Sequence, residues 1–368
     1  MEELEPTEVI ALEVARTDMH YVAATLLHAP PELAAAEIAL VQYGAMAAYE
    51  SQLYFARTLG WNLKAEWAPD AAKAARMSGK FFADNKRNLD GVVSHFDELL
   101  KANHGAFFPP DRAKQFDALR DDLSVITVDG RPYTSLISAH YLTGLGPTQI
   151  ASFQEVGPAV GRLSVGIGNI AGALLQNSGI AMHSQSPMPS VEFWDATSTD
   201  ALPRLFGGEL SPSLAAALLT VQSIAATAER GTARAVCQRC EAGAQKHRFV
   251  ALFQSLTAVT ILRDATPEVF SEDMLALLAD PESEWLLAQS KLRNGLIHLG
   301  MQDIASKIGP GETIDDAVAA YTGLEAHEVA TRVSQHLSRF VTILTSWMLT
   351  PRVGGKSFMA ALHRPPAD

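Results

Sequence analysis

The sequence predicts a mainly α protein, a multi-helix bundle or bundles with a short β-hairpin near residues 125–135. Three observations carry that prediction. Alanine-rich runs with 10 Met and only 7% aromatic residues favour helices over sheets. Apolar residues recur every three or four positions through residues 8–100 and again through 211–349. Only Val125-Ile-Thr-Val-Asp-Gly-Arg-Pro-Tyr133 alternates β-branched residues into an Asp-Gly pair, the chemistry of a tight hairpin turn.

The first helix is expected over Glu8–Leu27, where Ile10, Val14, Tyr21 and Leu26 recur at roughly helical spacing. Pro30-Pro31 stops it and opens the next, because proline suits a first helical turn. That second helix, Glu32–Leu59, is expected to bury Ile38, Leu40, Val41, Tyr49, Leu53 and Phe55, with Gly60 as its left-handed end. A third helix begins near Pro69-Asp70 and runs through Phe81, Leu89, Val93 and Phe96 to Leu100. His104 to Pro110 reads as a turn-rich break, followed by a short helix and then the hairpin. Residues 140–210, rich in Gly, Pro and Ser, are the least regular part. Ser211-Pro212 pairs a cap with a first turn and restarts the helical pattern. Val329, Val333, Leu337, Phe340, Leu344 and Trp347 mark the last helix, and the tail after Pro351 reads as loose. The organisation is therefore an N-terminal helical region (1–122), an irregular Gly/Pro-rich middle (123–210), a helical domain (211–350) and a tail (351–368).

A net charge of −12 argues against a broad nonspecific nucleic-acid surface, which needs a basic patch, but leaves room for a small local one. Met-Glu-Glu-Leu-Glu-Pro contains no basic stretch leading into an apolar one, so no secretory signal is expected. The apolar runs Leu163–Leu175 and Leu214–Ala228 are too short or too polar for a bilayer; Thr220, Gln222 and Ser223 interrupt the second. Two cysteines, Cys237 and Cys240, make no disulfide framework. A reduced, cytoplasmic protein with no membrane partner is the expectation.

The stretch richest in chemistry is Lys-Leu-Arg-Asn-Gly-Leu-Ile-His, Lys291 to His298. Cleaving RNA through its own 2′-hydroxyl needs a base near that hydroxyl and a cation near the phosphorane. Histidine is the side chain type suited to the first task, which falls to His298, and Arg293 can fork onto two phosphate oxygens. Asn294 lies four residues before His298, on the same helical face, where it could orient the imidazole or the substrate. Arg293 and His298 are about 140° apart on an ideal helix. They meet only through the long arginine side chain, a bend near Gly295, or a second copy of the chain.

Arg293-Asn294-x-x-x-His298, between an apolar helical lead-in and a last amphipathic helix, resembles the arginine–x4–6–histidine signature of the HEPN superfamily. The resemblance covers roughly 211–350 and is specific at the motif. It implies a helical domain that dimerises across the motif and, in many members, a metal-independent ribonuclease of a toxin or defence type. It thus implies an RNA substrate, a homodimer and a protein partner such as an antitoxin, with Arg293, Asn294 and His298 as the catalytic set. The other reading is a non-catalytic helical module for dimerisation or partner binding, with the same residues as a polar pin between helices.

The remaining motifs point to plainer roles. Gly166-Ile-Gly168-Asn-Ile-Ala171 fits a dinucleotide fingerprint, with Glu192 and Asp195 downstream, but the required strand–helix context is missing and close packing is expected instead. Cys237-x-x-Cys240 near His247 has metal-ligand spacing without a second pair. Arg87-Asn88 with His95 echoes the later motif with two residues too many. His20, His28, His104, His140 and His183 are scattered without carboxylates at helical spacing. No metal or cofactor is expected.

Overall fold

Proline in the first turn and Glu8 reaching back to the Glu5 amide at 2.9 Å start helix α1, Pro6–His28, in the computed structural model. The structure describes residues 4–29, 33, 36–63, 76, 82, 89–108, 121–150, 156–175, 189–231, 238–351 and 358–359. Helix α2, Ile38–Thr58, ends as expected, with Gly60 at φ 65° and the Trp61 amide donating to the Phe55 carbonyl at 3.0 Å. Ile38, Leu40, Val41 and Phe55 are buried, while Tyr49 and Leu53 are only half-buried. Helix α3, Leu89–Phe107, continues through His104, so the break expected there begins only at Phe108. The Pro30-Pro31 stop, the start at Pro69-Asp70 and the short helix before the hairpin lie outside the described residues.

The hairpin forms where its alternation placed it. Strands β1, Leu123–Val128, and β2, Arg131–Ser135, are joined by Asp129 and Gly130 at φ 51° and 73°. Two consecutive left-handed residues match the twist of the strands, and Asp-Gly tolerates them best. Ser135 then caps helix α4, Leu136–Leu142, by accepting from the Ser138 amide.

Residues 140–210 are more regular than expected. They hold helix α5, Val156–Leu174, a third strand β3, Val191–Ala196, and a single helical turn at Ser198–Ala201. Glycines lower the helix propensity of α5, but Ala159, Leu163, Ile167, Ile170 and Leu174 bury one face, and packing prevails over propensity. Strand β3 pairs antiparallel with β1 over all six residues, giving the sheet order β2-β1-β3.

From Pro212 the chain is helical as read: α6 (Pro212–Gly231), α7 (Gln238–Ala265), α8 (Glu272–Leu278), α9 (Pro281–Ala288), α10 (Ser290–His298), α11 (Ile314–Thr322) and α12 (Ala326–Met348). Helix α6 is the axis of the molecule. It packs against α3, α4, α7, α12 and β2, so almost every residue from Ser213 to Ala228 is buried. A helix covered on all sides must satisfy its polar groups inside. The Gln222 amide donates to Thr345 Oγ1 at 2.9 Å, and the Ser223 hydroxyl donates to the Tyr133 carbonyl at 2.9 Å. No helix among the described residues is long and apolar enough to cross a membrane.

Helix α1 lies along α7, and the two touch at Gly243. A Cβ there would sit 2.5 Å from the Thr17 carbonyl oxygen and 2.6 Å from the Tyr21 Cβ. Around this contact the buried Asp18 carboxylate receives Lys246 and the Tyr43 hydroxyl, the latter at 2.8 Å. Next to it Tyr21 Oη and His247 Nδ1 share a hydrogen bond of 3.1 Å, while the Tyr43 and His247 rings lie 4.2 Å apart.

Gly243→Ala is expected to destabilise the protein by about 1–3 kcal/mol through overpacking, although Ala is the better helix former. Gly161→Ala in α5 meets nothing within 4 Å and should be neutral or slightly stabilising. Urea unfolding of both variants checks the contrast. Acid should also weaken the fold. Burial, reinforced by Arg248, pushes His247 down to about 3, and burial pushes His140 to about 4. Unfolded histidines take a proton below about pH 6.5, so stability should fall on acidification from there, by ~1.4 kcal/mol per pH unit for each group. Asp18, raised by burial, opposes this only near its own range. A urea midpoint that is flat between about pH 6.5 and 4.5 would contradict this reading.

Candidate functional site

Helix α10 is short and held by one face. Leu292, Leu296 and Ile297 are buried, and the helix packs on α2, α7 and α11. It is continuous through Gly295, against which the Tyr321 ring of α11 is seated; a Cβ at Gly295 would lie 2.8 Å from the Tyr321 hydroxyl. Leu299 ends the helix in the left-handed region at φ 60°, a conformation that disfavours leucine, and its buried side chain offsets that cost.

At 100° per residue, the continuous helix keeps Arg293 and His298 on different sides. The structure brings Arg293 to Asn294 instead: Nη1 donates to Oδ1 at 2.9 Å on the exposed side. Asn294, expected to orient the imidazole or the substrate, accepts from the guanidinium here. Lys291, seven residues before His298 and so nearly on its face, points to solvent and lies 3.9 Å from Asp303.

His298 is oriented from elsewhere in the chain. Its Nδ1 lies 2.9 Å from Oε2 of Glu50, a residue of α2 whose side chain is 6% exposed, while the histidine side chain is 31% exposed. The other Glu50 oxygen receives Arg76. A carboxylate accepts, so Nδ1 carries the proton in this bond and Nε2 is the basic nitrogen of the neutral ring. The ion pair with Arg76 and the hydrogen bond with His298 offset the cost of burying the Glu50 charge. An imidazole positioned by a buried carboxylate and still reached by solvent is suited to moving a proton. The sequence signal for Glu50 was slight, a single acid in the apolar stretch Ala45-Met-Ala-Ala-Tyr49 and beyond.

A second acid–histidine cluster was also missed. The fully buried Asp122 accepts from the Ser198 amide at 2.6 Å, from the Ser198 hydroxyl at 2.7 Å and from His104 Nδ1 at 2.9 Å. Asn103 donates to the Asp122 carbonyl at 2.6 Å and bonds His140 Nε2 at 3.1 Å. This network closes the end of α3 onto the sheet.

The other candidates separate. Gly166–Ala171 lies inside α5, with no strand directly before that helix among the described residues, and Glu192 and Asp195 lie on β3. Cys240 is buried, with its sulfur 3.9 Å from the His20 carbonyl oxygen, and His247 is in the α1–α7 core. Cys237, Arg87, Asn88, His183 and the His28 side chain lie outside the described residues. Among the described residues no group of three or more His, Cys, Asp or Glu could hold a metal ion.

Compared with protein-family models, with curated proteins and with solved structures, the chain gives no significant match.

The Glu50 arrangement makes a stability prediction of its own. Glu50→Gln removes the charge that Arg76 and His298 share and should cost about 1–3 kcal/mol, toward the low end because both partners reach water. An unchanged urea midpoint would mean that the pair contributes nothing.

Proposed function

We propose that this chain is a HEPN-like, metal-independent RNA endonuclease of a toxin or defence type, centred on His298. One observation supports this reading above the others: the buried Glu50 carboxylate holds the imidazole of the motif in one orientation at the protein surface. In the proposed reaction His298 takes the proton of a 2′-hydroxyl, and the resulting oxygen attacks the adjacent phosphorus. The bond to the 5′-oxygen breaks and that oxygen takes up a proton. The products end in a 2′,3′-cyclic phosphate and a 5′-hydroxyl. Arg293 supplies the charge for the phosphorane. Because it points away from His298 of its own helix, a homodimer across α10 is the arrangement in which the arginine of one copy serves the histidine of the other. A partner protein such as an antitoxin would act by covering this face.

A second reading has its own observation in support. Glu50 ties α2 to both His298 and Arg76, and Arg293 is engaged by Asn294, so the motif also works as a polar pin in a non-catalytic dimerisation or partner-binding protein.

Incubation of wild-type and His298→Ala protein with mixed RNA in EDTA, read on a denaturing gel, separates the two. The nuclease reading expects cleavage by the wild type and a loss of roughly 100-fold or more in the variant. If the wild type leaves RNA intact, or His298→Ala cleaves at the wild-type rate, the reading falls. A lower melting temperature for the variant without any cleavage to lose is what the pin predicts.

A further inference from the structure

Strand β3 is an edge. In the order β2-β1-β3 no described strand lies beyond it, whereas β2 is covered by α6. It is also firmly built. All six of its residues pair with β1, and at its start the Asp129 amide donates to the Ser190 carbonyl at 2.8 Å while the Ser190 amide donates to Asp129 Oδ1 at 3.0 Å. Trp194 Nε1 donates to Thr127 Oγ1 at 3.2 Å, and Ser124 donates to Asp195 at 2.6 Å. A strand fixed in register offers its outer main-chain groups as a template, and little further ordering opposes the addition of another strand.

The side chains on this edge define what it fits. Phe193 is 54% exposed, an uncommon state for a large aromatic residue. Glu192 and Asp195 flank it, three positions apart and both exposed. A strand laid alongside would place one residue opposite each acid and one opposite Phe193. Directly opposed charges of unlike sign favour pairing, and like charges oppose it. A second copy of this strand brings two further acids and no cation to the edge, so it gains no charge pairing there. Acidic and neutral segments are rejected in the same way or gain nothing, and the net charge of −12 extends the selection to longer range.

We infer that β3 is a docking edge for an extended segment of another protein that carries two basic residues three positions apart around an apolar one. Main-chain hydrogen bonds supply the affinity, Phe193 covers the apolar residue, and Glu192 and Asp195 select charge. The site is remote in sequence from His298 and does not depend on any activity there.

The test uses the full chain and fluorescein-labelled peptides, followed by anisotropy at low salt. The probe is Val-Lys-Thr-Ile-Lys-Val. Its controls are Val-Glu-Thr-Ile-Glu-Val and the basic peptide N-methylated at every backbone amide, which keeps the charges and removes the donors. The expected result is saturable binding of the basic peptide, at least about tenfold weaker binding of both controls, and a similar loss with Glu192→Lys at unchanged melting temperature. Three results overturn the inference. One is no binding of the basic peptide at about 1 mM. Another is equal binding of the methylated or acidic control, which leaves only ionic attraction or apolar contact. The third is a dimer in sedimentation that Phe193→Asp disperses, which gives the edge to a second copy.

Discussion

The close contact of α1 with α7 at Gly243 determines much of what surrounds it. Because no side chain separates the helices there, Asp18 and Tyr21 of α1 reach Lys246 and His247 of α7 inside the core. Tyr43 of α2 joins both, through its hydroxyl to Asp18 and its ring against His247. One helix spacing thus sets the position of a third helix. A similar contact repeats on the other side, where a Cβ at Gly44 would lie 2.6 Å from Val22 and 3.2 Å from Ile167. Small residues let α1 serve as a common wall for α2, α5 and α7, and the polar groups inside that wall fix its register.

Asp18, Glu50 and Asp122 are buried carboxylates answered in three chemically different ways. Lys246 and a tyrosine hydroxyl meet Asp18 in the dry interior, where the pair is locked. A backbone amide, a serine and a histidine meet Asp122, which closes a helix end and a strand start with one group. Glu50 is met by a guanidinium and an imidazole that both reach solvent, whereas Asp122 has one such partner, His104, beside the buried Ser198, and Lys246 on Asp18 is buried. A charge arrangement that water can reach is one that substrate or a partner can also reach. The proposed function and its alternative both turn on that difference.

The helical class, the hairpin and the capped start at Ser211-Pro212 were legible because each depends on neighbours within a few residues. Asp129-Gly130 needs only its own left-handed geometry, and α12 needs only its repeating apolar face. What was hidden depends on residues far apart. Strand β3 has two acids among six residues and reads as loop until β1 is beside it. Helix α5 looks glycine-broken until its apolar stripe meets α1 and α2. The motif at Arg293–His298 was visible, but its geometry was not: Asn294 turns to Arg293, and the group that orients His298 comes from 248 residues earlier.

The contact between Asp18 and Lys246 spans 228 residues of chain. At a synthesis rate of roughly 10 residues per second, α1 leaves the ribosome about 20 s before the helix it packs on exists. During that interval its acid, its tyrosine and its apolar wall face water or other chains. Refolding of the whole chain escapes that delay but must still close a very long loop before the reward of the core is available. Birth of this protein is therefore a waiting problem: its first helix is made early and finds its place late.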